Sequence, residues 1–378
     1  MPWKEETAMS LRGEFVEQAR QEGANVSELC RGFGISRTTG YKWLRRYSQE
    51  GRAGLSDRSR RPKSSPRRTC AALEADVLQV RGEHPTWGGR KIKAHLERKG
   101  HHDLPAPSTI GAILKRRELV EPEESRKHKP YERFEREKPN ELWQMDFKGH
   151  FALAGGGRCH PLTVLDDHSR FLLGLQACAD ETRETVQEQL AAIFRLYGLP
   201  EVMLMDNGSP WGDRAEQPFT VLVAWLMRLG IRVTHGRPYH PQTQGKDERL
   251  HRTLNEELLQ RRVLHDLEES QRAFDAWRLM YNTERPHEAL GLAVPAERYT
   301  PSPRAFPEAL PPIVYDSGSI VRRVDEKGRI SFHNRPFRVG RAFAHQPVAL
   351  APDDQDGDFV VSFCRQHIAR ISLREEYS

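Results

Sequence analysis

The sequence predicts a protein of several domains: helical units at the N-terminus, an α/β domain in the middle and a small β-barrel at the C-terminus. The chain has 378 residues, too many for one ordinary domain. Apolar residues recur at helical spacing in its first third, and runs typical of strands and helices then alternate. The predicted boundaries are 8–50 and 70–120 for two helical units, 51–69 and 121–139 for linkers, 140–300 for the α/β domain and 312–378 for the barrel.

Composition excludes several classes of protein. Hydrophobic residues make up 37% of the chain, and no apolar run of about 18 or more residues occurs, so we expect no membrane span. The N-terminus, Met1 to Ser10, has no apolar signal region, and we expect a cytoplasmic protein. The cysteines are scattered without a Cys-x-x-Cys pair, which argues against a disulfide framework and a cysteine-rich zinc site: Cys30, Cys70, Cys159, Cys178 and Cys364.

The positive charge is concentrated near the N-terminus. Residues 1–140 carry 30 Lys and Arg against 20 Asp and Glu, whereas the whole chain has a net charge of only +6. The segment 31–68 holds 12 of those basic residues and 2 acidic ones, which accounts for the N-terminal excess. Such a segment is typical of a nucleic-acid-binding surface, although a solvated charged face is the plain alternative.

The first helical unit has the pattern of a helix-turn-helix. Gly34 interrupts the helical periodicity, and Ser36 is a candidate N-cap for a short helix that contains Trp43. The second helix of such a motif enters the major groove of DNA by its N-terminal residues, although similar pairs occur in plain helix bundles. The candidate DNA contacts are Arg37, Thr38, Thr39 and Lys42, with Arg45 and Arg46 near phosphates.

A basic linker and a second helical unit follow. Residues 51–68 are rich in Arg, Ser, Pro and Gly, which favours an extended segment that follows DNA or serves only as a tether. Three apolar runs between 70 and 120 predict three helices, and Ser108 is a candidate cap for the last of them. We expect a second helix-turn-helix, with exposed basic residues late in its last helix, Lys115, Arg116 and Arg117.

The order of elements in the middle of the chain predicts an RNase H-like fold. Three strand-like segments are followed by a helix (182–197), a short buried strand (202–205), a helix (219–229), a strand (231–234) and a long helix from about 244. This is the order of a five-stranded mixed sheet covered by helices. Six β-branched runs between 312 and 378 then predict the barrel or a small sandwich.

Two carboxylates stand where this fold would bring them together. Asp146 lies inside the first strand between Met145 and Phe147, where an acid is costly unless it is paired or binds a metal. Asp206 follows the short strand 202–205, at the end of a strand where ligand sites of α/β sheets collect. Each acid by itself also has a purely structural explanation: Asp206 could serve a turn, and Asp146 could lie on an exposed face of its strand. Together they indicate a site, because the first and fourth strands of this fold are adjacent.

The long helix offers several acids, and here a resemblance becomes specific. The segment PYHPQTQGKDERLHRTLNEEL, residues 238–258, resembles the signature of retroviral integrases and integrase-like transposases of bacterial insertion sequences, in which the catalytic Glu lies three residues after a Gly. Glu248 matches that position, with Asp247 and Glu256 as alternatives on the same helix. The segments WQMDF, LDDHSR, MDNGSP and YNTERPHEALG match the family as well, so the resemblance covers about 140–300.

The resemblance implies a DDE transposase that cuts and rejoins DNA through Asp146, Asp206 and Glu248. Carboxylate oxygens favour Mg²⁺, with Mn²⁺ as the usual substitute, and two ions would serve an in-line displacement at phosphorus. Water would first expose a 3′-OH at the element's end, and that 3′-OH would attack target DNA. The implied partners are the terminal inverted repeats, target DNA and at least one further copy of the chain.

The sequence departs from the family in two respects. Between Asp206 and Glu248 lie 41 residues, more than is usual, and the excess is expected at 211–218. The N-terminal zinc-binding module of retroviral integrases is replaced by the helical units, which favours a bacterial transposase acting on the nucleoid.

Further side chains and two rival functions remain open. Lys246 and Arg252 are candidate DNA contacts, and His251, His240 and His287 are either structural or part of the site. One rival is a DNA-binding regulator built on an inactive core. The other is a different RNase H-like nuclease that cleaves hybrids or junctions.

Overall fold

The computed structural model describes residues 7–59, 69–120, 136–206, 208, 219–235 and 245–374. The chain forms two compact units, Met1–Arg68 and Thr69–Ser378, and each is described by itself. Within the described residues, no helix is both long and apolar enough to cross a membrane.

The first unit is a three-helix domain. It contains α1 (Ala8–Ala19), α2 (Val26–Gly32) and α3 (Arg37–Glu50). Gly34 has a φ of +64°, which a residue without a Cβ adopts easily, and the Ser36 side chain accepts a hydrogen bond from the Thr39 amide, so the predicted turn and N-cap are confirmed. The small core of this domain combines aromatic, aliphatic and cysteine side chains: Phe15, Val16, Cys30, Trp43 and Leu55.

The start of the linker was predicted wrongly. Residues Gly51–Leu55 form a 3₁₀ turn that packs on α3, and Leu55 is fully buried. Gly54 makes this possible, because a Cβ there would lie 2.5 Å from the carbonyl oxygen of Arg46. Arg12 then donates a hydrogen bond to the Leu55 carbonyl at 2.8 Å. Composition predicted an extended segment from residue 51, but one apolar side chain in the right register is enough to fold its beginning. The linker residues 60–68 and 121–135 lie outside the described parts.

The second unit opens with three more helices, α4 (Ala71–Glu83), α5 (Gly89–Arg98) and α6 (Pro107–Arg116). The predicted cap at Ser108 is wrong: the N-cap is Ala106, two residues earlier, and Pro107 is the first residue of α6. Proline suits that position because the first amides of a helix have no partner within the helix. The helices share an apolar core around Trp87: Val77, Val80, Ile92, Leu96, Ile110, Ile113 and Leu114.

A mixed sheet forms the centre of the second unit. Its strands are β1 (Leu142–Phe147), β2 (Phe151–Ala152), β3 (Arg158–Asp166), β4 (Leu172–Cys178), β5 (Val202–Met205) and β6 (Arg232–His235). The order is β4-β3-β1-β5-β6, with the short β2 pairing with the start of β3. Strand β1 runs antiparallel to β3 and parallel to β5, so the predicted adjacency of the first and fourth main strands is confirmed.

Helices cover both faces of this sheet. One apolar cluster joins it to α7 (Arg183–Tyr197) and α8 (Val221–Arg228). A second cluster joins the other face to α9 (Gly245–Leu254) and α10 (Leu267–Thr283). A π-helical turn, Asn255–Leu259, extends α9. The predicted α/β layering is therefore present, with the helix of the family signature packed directly on the sheet.

Side-chain amides close both edges of the sheet. On β4, the Asn282 amide donates to the carbonyl of Leu172 at 3.0 Å and accepts from its N–H at 2.8 Å. The Gln271 amide donates to the carbonyl of Leu175 and accepts from the N–H of Ala177. On β6, Gln366 binds both the N–H and the carbonyl of Val233, at 3.2 and 3.1 Å. Each amide supplies the donor and acceptor that a neighbouring strand would offer.

The C-terminal region consists of six short antiparallel strands, as predicted. They are β7 (Ile320–Arg323), β8 (Arg329–Phe332), β9 (Arg335–Arg338), β10 (Pro347–Pro352), β11 (Asp358–Phe363) and β12 (Gln366–Ser372). They pair as a four-stranded sheet, β12-β11-β10-β7, and a separate hairpin, β8-β9. The strand pairs among the described residues therefore do not form a closed barrel. Their buried side chains belong to the same apolar cluster as α7 and α8.

Candidate active site

The first two predicted carboxylates meet at one end of the sheet. The parallel register pairs Gln144 of β1 with Leu204 of β5, so two residues further on Asp146 lies level with Asp206. Asp206 ends its strand in a tight turn in which its Oδ1 accepts a hydrogen bond from the Gly208 amide at 2.8 Å. The ring of His235, on β6, donates to the Asp206 carbonyl at 2.8 Å. Backbone contacts therefore fix both acids in place.

Asp146 lies in an environment that opposes its ionisation. Burial is the main cause, and the negative charges of Asp206, Glu181 and Glu248 add to it, raising the pKa of Asp146 to about 7. The Phe147 backbone amide, which hydrogen-bonds the carboxylate, only partly offsets this. Buried like charges are costly and call for a cation. Carboxylate oxygens are hard donors, so the group fits Mg²⁺ or Mn²⁺.

His251 borders Asp146 as a neutral ring. Burial, reinforced by the charge of Lys148, lowers the pKa of His251 to about 4. Thr163 donates its single hydroxyl proton to the Asp146 carbonyl at 2.9 Å, so the His251 Nε2, also 2.9 Å from that hydroxyl, must carry the proton it donates. The Nδ1 lone pair then faces the Asp146 carboxylate at 4.0 Å. His251 thus orients toward the site without neutralising its charge.

Helix α9 is anchored on the sheet by one face and presents the other outward. The Lys246 ammonium forms an ion pair with the Asp167 carboxylate, and Leu250 and Leu254 are buried beneath. The outward face carries Glu248, Arg249 and Arg252. The charge of Glu248 acts on Asp146, whereas Lys246, a predicted DNA contact, lies against an acid of the sheet.

Asp247, the alternative to Glu248, lies on the inner face of α9. It is 2% exposed, and its Oδ1 has no hydrogen-bond partner among the described residues. Burial, followed by the charges of Asp146 and Asp167, raises the pKa of Asp247 well above its ordinary value. The two neighbouring acids therefore differ in access to solvent: Glu248 is exposed and Asp247 is enclosed. Glu256, the other alternative, lies exposed in the π-helical turn.

The family segment LDDHSR builds the support beneath the site. The Asp166 carboxylate accepts hydrogen bonds from the backbone N–H of Asn140 and from both the backbone N–H and the hydroxyl of Ser169. Asp167 accepts from Gln144 at 2.6 Å as well as pairing with Lys246. Both acids are almost fully buried. From the sequence, this segment stands out only by its resemblance to the family; two adjacent acids at the end of an apolar strand, Asp166 and Asp167, are the further signal that it carries.

The remaining predicted positions differ in how exposed they are within their own units. On α3, Arg37, Thr38, Lys42 and Arg45 are exposed, whereas Thr39 and Arg46 are half-buried. Lys42 and Arg46 both lie over the Trp43 ring, at 4.9 and 5.0 Å. His287 is buried against Tyr281, with ring centroids 4.6 Å apart. His240 and the loop expected at 211–218 lie outside the described residues.

No group of three ligand atoms within 4.8 Å of one another includes Asp146, Asp206 and Glu248 together in the described parts of the chain. The three carboxylates are thus spread more widely than the donors of one small ion.

Comparison with protein families matches most of the chain, domain by domain. Residues 136–241 and 229–295 match integrase core domains, and residues 319–378 match the C-terminal domain of IS481 family transposases. The N-terminal region matches a helix-turn-helix domain over 11–63 and a homeodomain-like domain over 39–114.

Similar proteins come from insertion elements. The chain is 28% identical over 260 residues to a 39.2 kDa protein of insertion element IS476 from Xanthomonas euvesicatoria, covering 65% of this chain and 69% of that protein. It is 26% identical to a 31.7 kDa protein of IS407 from Burkholderia multivorans, over 60% and 79% of the two chains. Among solved structures, the catalytic core domain of BIV integrase aligns with a TM-score of 0.32 and 24% identity, covering 42% of this chain and 92% of that one.

These domain matches follow one another along the chain in the order helix-turn-helix, integrase core and transposase C-terminal domain. The insertion-element relatives span both the core and parts beside it. The chain therefore belongs to the integrase-like DDE transposases of insertion sequences, which are polynucleotidyl transferases.

Proposed function

We propose that this transposase uses Asp146, Asp206 and Glu248 to hold two Mg²⁺ ions, cuts DNA at the ends of its element and joins them to target DNA. The observation that supports this most is the environment of Asp146. Asp146 is a half-buried carboxylate at the end of a parallel strand pair, and its surroundings and the further acids raise its pKa to about 7, so the site favours bound cations. These three carboxylates would supply the oxygen ligands, and the bound ions would offset the negative charge that opposes ionisation of Asp146.

The reaction would proceed as two displacements at phosphorus. Water attacks the phosphate at the element's end, its P–O3′ bond breaks, and a free 3′-OH remains. That 3′-oxygen then attacks a target phosphate, whose own P–O3′ bond breaks, so one phosphodiester replaces another. Bound metal ions would stabilise the attacking and leaving oxygens.

The chain's own residues would orient this chemistry. The sheet fixes Asp146 and Asp206, and the Lys246–Asp167 ion pair fixes the start of α9, on which Glu248 lies. Arg249 and Arg252, exposed on the same side of α9 as Glu248, would contact DNA phosphates beside the acids. His251 would remain neutral, so that no fixed cation competes with the metals for Asp146.

The helical domains would select the DNA. Helix α3 presents Arg37, Thr38 and Lys42 to solvent at its N-terminal end, which is where a recognition helix contacts bases. The partners would be the terminal inverted repeats and target DNA. Because two ends must be joined, the chain would act as a dimer or larger assembly on the bacterial nucleoid. As domain limits we propose those predicted from the sequence, except that the linker begins after residue 55.

Purified protein on labelled inverted-repeat ends with Mg²⁺ tests the proposal. The wild-type chain is expected to release a 3′-OH end and to join it to target DNA, with Mn²⁺ replacing Mg²⁺. Asp146→Asn is expected to abolish both steps, to bind the ends normally and to keep or raise its melting temperature, since a repulsive buried charge is removed. Asp275→Asn, at an exposed position of α10, is the matched control.

Three outcomes would contradict the proposal. Cleavage by Asp146→Asn would remove the acid from the mechanism. Binding of the ends by the wild-type chain without any cleavage would favour a DNA-binding regulator. Cleavage of RNA–DNA hybrids or junctions in preference to the ends would favour a different nuclease.

A further inference from the structure

A second group of metal-ligating side chains lies away from the catalytic carboxylates. His84 follows α4, His95 lies on α5 and Glu284 follows α10. One ligand atom from each lies within 4.8 Å of the other two, and this is the only such trio among the described residues. The first two belong to the second helical domain and the third to the end of a core helix, so folding alone brings them together.

An aromatic ring holds the two histidines in place. His84 stacks on Trp87, with centroids 3.7 Å apart and an angle of 8° between the ring planes. His95 meets the same indole edge-on at 5.3 Å. Trp87 is itself fully buried in the core of the helical domain. Both imidazoles are therefore fixed before any ligand binds, which lowers the entropic cost of binding one.

His95 has an unused nitrogen. The side chain is only 3% exposed, and its Nε2 has no hydrogen-bond partner within the described residues. A buried polar atom without a partner costs free energy and calls for an explanation. Burial also lowers the pKa of both His84 and His95, so the rings are neutral near pH 7 and keep a lone pair for a metal.

The surrounding charge is favourable to a cation. The carboxylates of Glu284, Glu83 and Glu257 all act on His84, opposed by the ammonium of Lys99, although Glu257 is also paired with Arg285. Two imidazoles and a carboxylate form a zinc-ligand set that leaves a fourth position for water. Imidazole nitrogen also disfavours Mg²⁺, which prefers oxygen.

We propose that His84, His95 and Glu284 bind a Zn²⁺ ion that fastens the second helical domain to the catalytic core. Contacts around the trio already join these two parts. Met280 of α10 packs on the helical core, Thr86 donates to Glu257 at 3.0 Å, and Arg98 pairs with Glu297 at 3.1 Å. A metal in the middle of this contact would hold the DNA-binding helices and the end of α10 in one arrangement.

Zinc binding to the full-length chain in excess Mg²⁺ tests this site. The background is Asp146→Asn, so that the catalytic acids contribute little. One zinc ion per chain is expected, together with a rise in melting temperature that a chelator reverses. Glu284→Gln and His84→Gln should each weaken zinc binding by at least about tenfold and abolish the thermal shift.

Matched controls separate the trio from its surroundings. Glu288→Gln and His102→Gln replace exposed residues of the same types nearby and should bind zinc as the parent does. Glu284 is exposed, so its amide variant keeps the fold even if a change at the buried His95 does not. Equal zinc binding by Glu284→Gln and the parent, or no zinc binding by the parent, would overturn the proposal. Both readouts are independent of DNA cleavage.

Discussion

Asp247 and Glu248 are adjacent acids with opposite surroundings. Glu248 is exposed on α9, whereas Asp247 is enclosed on the inner face of the helix, where the charge of Asp146 acts on it. We expect Glu248→Gln to reduce strand transfer by at least about a thousandfold, because removing one of three metal ligands removes charge stabilisation in the transition state. Asp247→Asn should retain activity within about tenfold of wild type, since the neutral amide replaces a side chain whose ionisation burial and the neighbouring acids already oppose. Strand-transfer rates with labelled ends measure both.

Glu256→Gln is the control for Glu248, as it alters an exposed acid of the same helical stretch. If Asp247→Asn were inactive and Glu248→Gln active, Asp247 would be the third ligand instead.

His287 is a buried histidine whose ionisation is opposed by the fold. Burial, with the charges of Arg285 and Lys91, lowers its pKa well below the ordinary value of 6.5. The unfolded chain therefore binds a proton at His287 that the folded chain does not, and stability falls as the pH drops below about 6.5. His287→Gln should be less stable than wild type at pH 7.5, but its deficit should shrink by about 1 kcal/mol at pH 5.5.

Urea unfolding of both chains at the two pH values measures that difference. A deficit that stays constant or grows on acidification would show that His287 does not titrate abnormally.

At the residue scale, the sequence predicted the meeting of Asp146 and Asp206 but not their support. Asp146 lies in one apolar strand and Asp206 directly follows another. The order of elements predicts that these two strands are neighbours in the sheet. Glu248 was selected by the family signature, because periodicity alone does not distinguish it from Asp247. The roles of Thr163 and Asp167 were not predicted, since their partners His251 and Lys246 lie 88 and 79 residues further along the chain.

Helix α10 stabilises the sheet through a polar contact as well as an apolar one. The Asn282 amide satisfies both backbone groups of Leu172, and it is 4% exposed. Asn282→Leu keeps the size of the side chain but leaves a buried N–H and carbonyl unpaired, which should lower the free energy of unfolding by about 2 kcal/mol. Thr283→Ala, which removes an exposed hydroxyl, should cost less than about 0.5 kcal/mol. Denaturant unfolding compares them, and equal costs would contradict the role of the amide.

Helix α3 offers a test of the recognition surface. Arg37→Ala and Lys42→Ala should each weaken binding to the inverted repeat and reduce the slope of log affinity against log salt by about 1 if the lost contact is to phosphate. Arg31→Ala, exposed on α2, should leave the slope unchanged. Fluorescence anisotropy at several salt concentrations measures both the affinity and the salt slope of each variant. Unaltered binding by both α3 variants would remove this helix from the DNA surface.

Helices and strands with regularly spaced apolar residues were predicted well. Elements that depend on local backbone stereochemistry were not. The strand 202–205 and the helix capped by Thr182 lie where the pattern placed them. The 3₁₀ turn at 51–55 depends on one close approach, at Gly54, that composition does not reveal. The division of the C-terminal strands into two sheets likewise depends on pairing between strands, and a strand's own sequence carries little information about its partner.

On the scale of the whole molecule, the two compact units have separate apolar cores. None of the core residues of the first unit belongs to a cluster of the second. A chain of residues 69–378 should therefore fold by itself, keep its cooperative thermal transition and bind the inverted repeat at least about tenfold more weakly, having lost one of two DNA-binding domains. Calorimetry and anisotropy measure both properties. Loss of the transition would show that the first unit is needed for folding.

The amides that close the central sheet also limit how copies of this transposase can meet. An open strand edge invites another chain to add its own strand, yet here Asn282 and Gln271 occupy one border and Gln366 the other. If the chain assembles on DNA ends as proposed, we expect its copies to touch through surfaces other than these two strand borders. The closure also makes the catalytic domain dependent on residues well beyond its last strand. A fragment that stops before Gln366 would leave β6 uncovered and tend to aggregate through that border.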